Sequence, residues 1–223
     1  MTGMRRPAAV LFDCDGVLAD TEGLVNRMVA EALTERGWPM RGDEARETFL
    51  GMALPDMLPV IEARTGPLPR HWARDLGLCI ARTLQERAEP VPGALAALAA
   101  VAAAGIPVAV ASNSSRAELA AKLERLGIAA VFGPRVFSFQ DVAEPKPAPD
   151  LYLAAAEACG ALPERCAVVE DSLTGARAGI AAGCRVLGFA RETDAAVLAA
   201  IGAETFAAME ELPGLLGLAP VPA

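Results

Sequence analysis

The sequence predicts a doubly wound α/β fold, a parallel sheet with helices on both faces, interrupted after its first strand by a helical insertion. Three observations lead there. Short continuous apolar runs recur along the chain, as expected of strands buried on both faces. A stretch of helical periodicity separates each run from the next. Between Gly16 and Pro92, however, helical stripes occur with no strand-like run at all.

The first run, Ala8 to Phe12, ends abruptly in Asp13-Cys14-Asp15-Gly16. Within the insertion, Leu24, Met28 and Ala32 form one helical stripe, Met57, Leu58 and Ile61 a second, and Leu78, Ala81 and Leu84 a third. Pro90-Val91-Pro92-Gly93 reads as a stiff return hinge followed by a turn. These bounds divide the chain into a core of residues 1–16 and 93–223 and a helical unit of residues 17–92. After the hinge, Leu95, Leu98 and Val101 mark a helix that stops at Gly105. Leu119, Leu123 and Leu126 mark another, for which Gly127 supplies a left-handed cap. Further strands are expected at Pro107 to Ala111, Arg135 to Ser138, Ala167 to Val169 and Arg185 to Ala190. The tail from Pro213 to Ala223 carries no clear signal.

Composition narrows the class. A chain of 223 residues has room for one core and a subdomain, and 53% hydrophobic with 22% charged residues is ordinary globular material. Lys and Arg total 20 against 28 for Asp and Glu, a net charge of −8, and no dense basic run exists to grip nucleic acid. No apolar stretch approaches the roughly 20 residues that cross a bilayer. The N-terminus has no signal-peptide core. The five cysteines have no CxxC spacing and read as buried thiols in a reducing compartment, so a cytoplasmic protein is expected.

Asp13 and Asp15 stand at the carboxyl end of the first strand, where open α/β sheets bind ligands, and alternation points both side chains the same way. Glu170-Asp171 ends another buried strand on the same rim. Clustered carboxylates repel unless a cation joins them, and an all-oxygen site suits Mg²⁺. Ser112-Asn113-Ser114-Ser115 ends a third strand and opens a helix, a place that can hold an anion. Lys146, one of only two lysines, lies in the stiff Lys-Pro-Ala-Pro-Asp loop.

Together these segments resemble the haloacid dehalogenase superfamily, in the β-phosphoglucomutase-like phosphatase branch that carries a helical cap. Phe12-Asp13-Cys14-Asp15-Gly16-Val17-Leu18-Ala19-Asp20-Thr21-Glu22 is similar to that branch's first motif, Ser112-Asn113 to its second, Lys146-Pro147 to its third and Val169-Glu170-Asp171-Ser172 to its fourth. The resemblance implies a Rossmann-like core and a Mg²⁺-dependent phosphatase working through an aspartyl-phosphate. Asp13 is then the nucleophile and Asp15 the general acid and base, protonated when substrate arrives. Asp13, the backbone carbonyl of Asp15 and Asp171 would hold the metal, with Glu170 direct or through water. Ser112, Asn113 and Lys146 would bind the phosphoryl group. Gly51, Met52 and Leu54 fall where this branch has its cap specificity loop.

Departures from the family pattern matter too. Every Lys/Arg position from Gly16 to Pro92 is arginine, which cannot form the imine of the phosphonate-cleaving members. Val25 and Leu54 stand where a β-phosphoglucomutase has a cap histidine and a cap arginine, which favours hydrolysis over the mutase alternative. A catalytically silent interaction protein is a third reading, opposed by the intact Asp13, Asp15, Ser112, Lys146 and Asp171 set. The expected partner is a small phosphorylated metabolite, a sugar or sugar-acid monophosphate, with no nucleic acid and no membrane, for a monomer or weak homodimer. Arg27, Arg46 and Arg64 are cap cations that could read a carboxylate or hydroxyls, although surface solvation is the stronger expectation. His71 and Cys14 read as packing or surface residues.

Overall fold

The computed structural model describes residues 6–218. In chain order the elements are β1 (Ala9–Phe12), β2 (Ala19–Asp20), α1 (Glu22–Glu35), α2 (Gly42–Phe49), α3 (Leu54–Thr65), α4 (Trp72–Arg87), β3 (Glu89–Pro90), α5 (Ala94–Ala103), β4 (Val108–Ser112), α6 (Arg116–Arg125), α7 (Ala129–Phe132), β5 (Val136–Ser138), α8 (Asp150–Ala158), β6 (Cys166–Glu170), α9 (Leu173–Ala181), β7 (Arg185–Phe189), α10 (Ala195–Ala200), β8 (Glu204–Phe206) and α11 (Leu212–Leu215). Six strands form one parallel sheet in the order β5-β4-β1-β6-β7-β8. The chain winds outward from β1 through β4 to β5, then returns to the other side of β1 for β6. The order therefore reverses beside β1, and the carboxyl ends of β4, β1 and β6 open onto a single crevice.

Alternation along these strands builds two cores. Val10 and Phe12 of β1, Val108 and Val110 of β4, and Ala167 and Val169 of β6 face one layer, with Leu98, Val101, Leu119 and Leu123 of α5 and α6. Ala9, Leu11, Ala109, Ala111, Cys166 and Val168 face the other, against Leu151, Tyr152 and Ala155 of α8 and Ala176 and Ala178 of α9. Side chains two residues apart share a face, so each strand supplies both layers. Cys14 joins the first core, turned away from the carboxylates, and burial pushes its thiol up to about 12.

Helices α1 to α4 have their own apolar cluster, including Val29, Leu33, Phe49, Met57, Ile61, Ile80 and Leu84. Ala121 of α6 belongs to the same cluster, so α6 offers Leu119 and Leu123 to the sheet and Ala121 to the insertion. The insertion is joined to the sheet through β2 and β3, which pair antiparallel at Ala19 with Pro90 and Asp20 with Glu89.

Several sequence expectations need correction. Strands were absent from the reading between Gly16 and Pro92, yet β2 and β3 lie there; at two residues each, neither is long enough to show periodicity. Helix α2 was not foreseen because it buries only Ala45 and Phe49, and edge strand β8 buries only Phe206. Leu78 is exposed, and the buried stripe of α4 is Ile80, Ala81 and Leu84. Of the cysteines, Cys14, Cys166 and Cys184 are buried, whereas Cys159 is only partly covered and Cys79 is exposed. Among the described residues no helix is long and apolar enough to cross a membrane.

The second layer is packed closely enough to test. A Cβ at Gly179 of α9 would lie 2.8 Å from Val186 Cγ2 and 3.2 Å from Val168 Cγ1. Gly179→Ala is expected to cost about 1–3 kcal/mol through overpacking, against a gain of up to about 1 kcal/mol from helix propensity. Denaturant midpoints measure the balance; a stabilised variant would mean that α9 stands farther from the sheet.

Candidate active site

The floor of the crevice is built by strand ends. Asp13 follows β1, and its backbone N–H donates to Val169 O of β6 at 3.0 Å, which keeps this turn in register with the strand that delivers Glu170 and Asp171. Gly16 completes the turn with φ +75°, and a Cβ there would lie 1.9 Å from Asp171 Oδ2. Only glycine both adopts this backbone freely and leaves room for the carboxylate. Asp13, Glu170 and Asp171 each present an oxygen within 4.8 Å of the others, all three residues buried.

Lys146 stands among them, 3% exposed. Its Nζ donates to Asp13 Oδ1 at 2.5 Å, Glu170 Oε1 at 2.6 Å and Ala111 O at 2.8 Å, which uses all three of its protons. Burial would discharge the amine, but the Asp13 and Glu170 carboxylates outweigh it and raise its pKa. Glu170 in turn accepts from Tyr152 OH on Oε1 at 2.7 Å and from Ser172 N and Oγ on Oε2 at 3.2 and 3.0 Å. With both oxygens so occupied, Glu170 anchors Lys146, and a direct metal bond would displace one of these donors. For Asp13, burial is the largest influence, and together with Glu170 and Asp15 it exceeds the lowering by Lys146; the carboxyl is raised to about 7.

Asp15 lies in a separate network whose key member, Lys122, sequence reasoning missed. Lys122 Nζ donates to Asp15 Oδ2 at 2.5 Å and to Ser114 Oγ at 2.7 Å, from a side chain with 0% exposure. Ser114 Oγ and Ser112 Oγ also donate to Oδ2, at 2.8 and 3.2 Å, and Thr21 Oγ1 to Oδ1 at 2.5 Å. Burial would raise Asp15, but Lys122 and these hydroxyls outweigh it, and the carboxyl is held below its ordinary value. In this state Asp15 is thus an ion-paired carboxylate; the expectation of a proton on it concerns the moment when substrate arrives. One sequence signal could have found Lys122. It lies three residues after Leu119 and four before Leu126, on the buried stripe of α6, where an unpartnered lysine is not tolerated.

The phosphate-binding candidates divide as well. Ser112 faces Asp15, whereas the Asn113 side chain is a staple. Its Oδ1 accepts from Lys146 N at 3.0 Å, and its Nδ2 donates to Lys146 O at 3.0 Å and to Gly51 O at 2.9 Å. Gly51, at φ +75°, brings the turn between α2 and α3 so near the core that a Cβ would be 2.9 Å from Thr174 Oγ1. This turn roofs a cavity of about 1020 Å³, solvent at its mouth included. The floor contributes Asp13, Asp15, Ser112, Asn113, Lys146 and Asp171. The roof contributes Met52, Leu54 and Val25 with further apolar side chains.

None of the three arginines considered from sequence lines that cavity. Arg27 borders a separate groove, Arg46 pairs with Glu192 at 3.1 Å, and the Arg64 guanidinium sits 5.5 Å from the Trp38 ring centroid. His71 is exposed at the start of α4, outside the lining.

The chain as a whole is similar to known proteins. The family model of haloacid dehalogenase-like hydrolases matches residues 7–183. The chain belongs to the haloacid dehalogenase-like hydrolase family. It is 30% identical to a 6-phosphogluconate phosphatase of Escherichia coli (strain K12) over 95% of this chain and 96% of that protein. A phosphorylated carbohydrates phosphatase of Thermotoga maritima is 30% identical over 93% and 97% of the two chains. Among solved structures, CbbY from Rhodobacter sphaeroides in complex with phosphate superposes with a TM-score of 0.81 at 29% identity, covering 95% of this hydrolase and 100% of that chain.

Lys122→Met tests the second network. Because the folded-state pKa of Asp15 is depressed, the stability it contributes is present above about pH 3.9 and lost as pH falls through the lower folded value. Removing the ammonium leaves a buried carboxylate whose pKa rises. Stability at neutral pH should fall by about 3 kcal/mol, the lower end for a broken buried pair because Asp15 is partly exposed, and the acid limb of the pH–rate profile should move upward. Unfolding midpoints and the profile together check this; no change in either would remove Lys122 from the site.

Proposed function

We propose that this hydrolase is a Mg²⁺-dependent phosphatase of small phosphorylated metabolites, of the sugar phosphate class, acting through an aspartyl-phosphate on Asp13. The observation that carries the reading is the division of the two aspartates between two lysines: Asp13 with Lys146 beside Glu170 and Asp171, and Asp15 with Lys122 beside three hydroxyls. Two carboxylates two residues apart are thereby given different surroundings, the condition for one to attack and the other to transfer protons. Phosphatase relatives over nearly the full chain support the same reaction class.

The donor set fits a divalent ion. Asp13 and Asp171, with the Asp15 carbonyl, would hold Mg²⁺, and Glu170 would reach it through water while keeping its four hydrogen bonds. When bound, Mg²⁺ supplies positive charge that screens the Asp13 carboxylate from the incoming phosphoryl oxygens. Lys146 fixes the Asp13 oxygen it touches and adds a second positive charge beside the phosphoryl group. Asp13 attacks phosphorus and the alkoxide leaves. Asp15 protonates that alkoxide, for which the negative charge of the bound phosphoryl group must first offset Lys122 and raise the carboxyl so that it takes up a proton from solvent. In the second step water attacks phosphorus, the Asp13 oxygen–phosphorus bond breaks to release phosphate, and Asp15, again a carboxylate, takes the water's proton, a role its resting state already suits. The apolar Val25 and Leu54 on the roof offer nothing to hold a second phosphate, which favours transfer to water over a mutase cycle.

Asp13→Asn should abolish turnover with the fold intact, and wild type should trap BeF₃⁻ with Mg²⁺; a loss of roughly tenfold or less would exclude Asp13 as nucleophile. Asp171→Ala should raise the Mg²⁺ concentration needed for half-maximal rate, and an unchanged titration would remove Asp171 from the metal site.

The metal should also compete with a proton. Asp13 is raised to about 7 without metal, so its stabilising contribution is greatest at low pH and is lost as pH rises through about 7. Mg²⁺ binding needs the ionised form. The thermal shift produced by Mg²⁺ should therefore grow as pH rises through this range, and the apparent Mg²⁺ affinity should fall by up to about tenfold per unit below pH 7. A pH-independent shift would contradict the assignment. With glucose 1-phosphate of either anomer, free phosphate and no glucose 6-phosphate is the expected product, and isomerisation outpacing phosphate release would favour the mutase.

A further inference from the structure

We infer that the leaving group of the preferred substrate carries no anionic group of its own and meets the cap through hydrocarbon, an uncharged alcohol with one apolar face and a hydrogen-bonding end. This rests on the phosphatase reading and narrows it. It comes from what the roof of the cavity offers and from what it omits.

Above the carboxylate floor the wall is made by Val25 and Val29 of α1, Phe49 of α2, Leu54 and Met57 of α3, and Ile80 and Leu84 of α4. These are the side chains that build the insertion's own apolar cluster, so their positions are fixed by packing and not by a ligand. A surface of this kind gains from covering C–H groups and loses by stripping water from a charge without pairing it.

The cations make the argument specific. Among the described residues lining the cavity the only basic side chain is Lys146, and all three of its protons are already given to Asp13, Glu170 and Ala111 on the floor. Lys122 is outside the lining and spent on Asp15 and Ser114. Cap arginines Arg46 and Arg64 point elsewhere, to Glu192 and to Trp38. A carboxylate or second phosphate at the far end of a substrate would find no countercharge.

What it would find is acidic. The polar groups on the wall away from the floor are Asn26 and Glu118, besides Thr21, which donates to Asp15. Glu118 is held by the N-cap of α6, its Oε2 accepting from Ser115 N at 2.9 Å. A carboxyl there repels an anion and accepts from a hydroxyl. The chain thus parts from its 6-phosphogluconate phosphatase relative at the end of the substrate remote from phosphorus, while sharing the reaction.

The test compares kcat/KM for four phosphomonoesters with Mg²⁺ on the full chain: p-nitrophenyl phosphate, sorbitol 6-phosphate, 6-phosphogluconate and 2-phenylethyl phosphate. Sorbitol 6-phosphate and 6-phosphogluconate have the same six-carbon chain and differ at the far carbon, a hydroxymethyl group in one and a carboxylate in the other. 6-Phosphogluconate should fall at least about tenfold below sorbitol 6-phosphate, and 2-phenylethyl phosphate, uncharged and apolar but without a hydroxyl at its far end, should lie above 6-phosphogluconate. Leu54, only partly buried at the start of α3, can be replaced without emptying the core, and Leu54→Lys should raise the ratio of 6-phosphogluconate to sorbitol 6-phosphate about tenfold or more. Equal or better use of 6-phosphogluconate by wild type, or an unmoved ratio in Leu54→Lys, would overturn the inference while leaving the phosphatase intact. Absence of phosphate release from all four compounds would instead defeat the phosphatase reading itself, and this inference with it.

Discussion

A lysine ammonium buried at the rim of the sheet is the interaction on which the rest of the site depends. Lys146 is the shared counter-charge of Asp13 and Glu170 in a buried crevice beside Asp171. The ammonium has its own requirement, three acceptors, and the fold meets it by bringing the ends of β1, β4 and β6 side by side, so that Asp13, Ala111 and Glu170 each supply one. Tyr152 and Ser172 then fill what is left of Glu170. Such a network leaves little freedom for Asp13, the proposed nucleophile, and pre-set geometry is what an electrostatic catalyst needs.

The second lysine extends this logic toward the cap. Helix α6 packs Leu119 and Leu123 into the sheet core, contributes Ala121 to the helical insertion, and directs Lys122 onto Asp15. The aspartate proposed to transfer protons is thus held by the same helix that seats the cap. Asn113 does a similar service at the other side of the crevice, joining the Lys146 loop to the carbonyl of Gly51. The helical insertion and the carboxylate floor share their fastenings, so the proposed cap is built into the candidate site and does not merely cover it.

On the proposed reading, selectivity and chemistry are separated by composition. The floor is ionic and spends every cation on fixed carboxylates; the roof is hydrocarbon drawn from the cap's own core. One fold can carry out the same displacement on many esters by changing only that roof.

Much of this was legible in the sequence. Continuous apolar runs ending in acids located β1 and β6, a third ending in Ser112-Asn113 located β4, and together they put Asp13, Asp15, Ser112, Glu170 and Asp171 on one rim, because burial on both faces leaves a signal that needs no knowledge of neighbours. Val25, Met52 and Leu54 were singled out and do line the cavity. Elements too short or too lightly buried to leave a period, β2, β3, α2 and β8, were not legible. Nor were the partners. Lys122 reaches Asp15 across 107 residues of sequence and Lys146 reaches Asp13 across 133, and the arginines of the cap could be dismissed from the site only once their directions were known. A sequence records which groups are available and which local structure they favour; which charge neutralises which is settled by tertiary contact, because the cost of an unpaired buried charge depends on neighbours that the chain brings from far away.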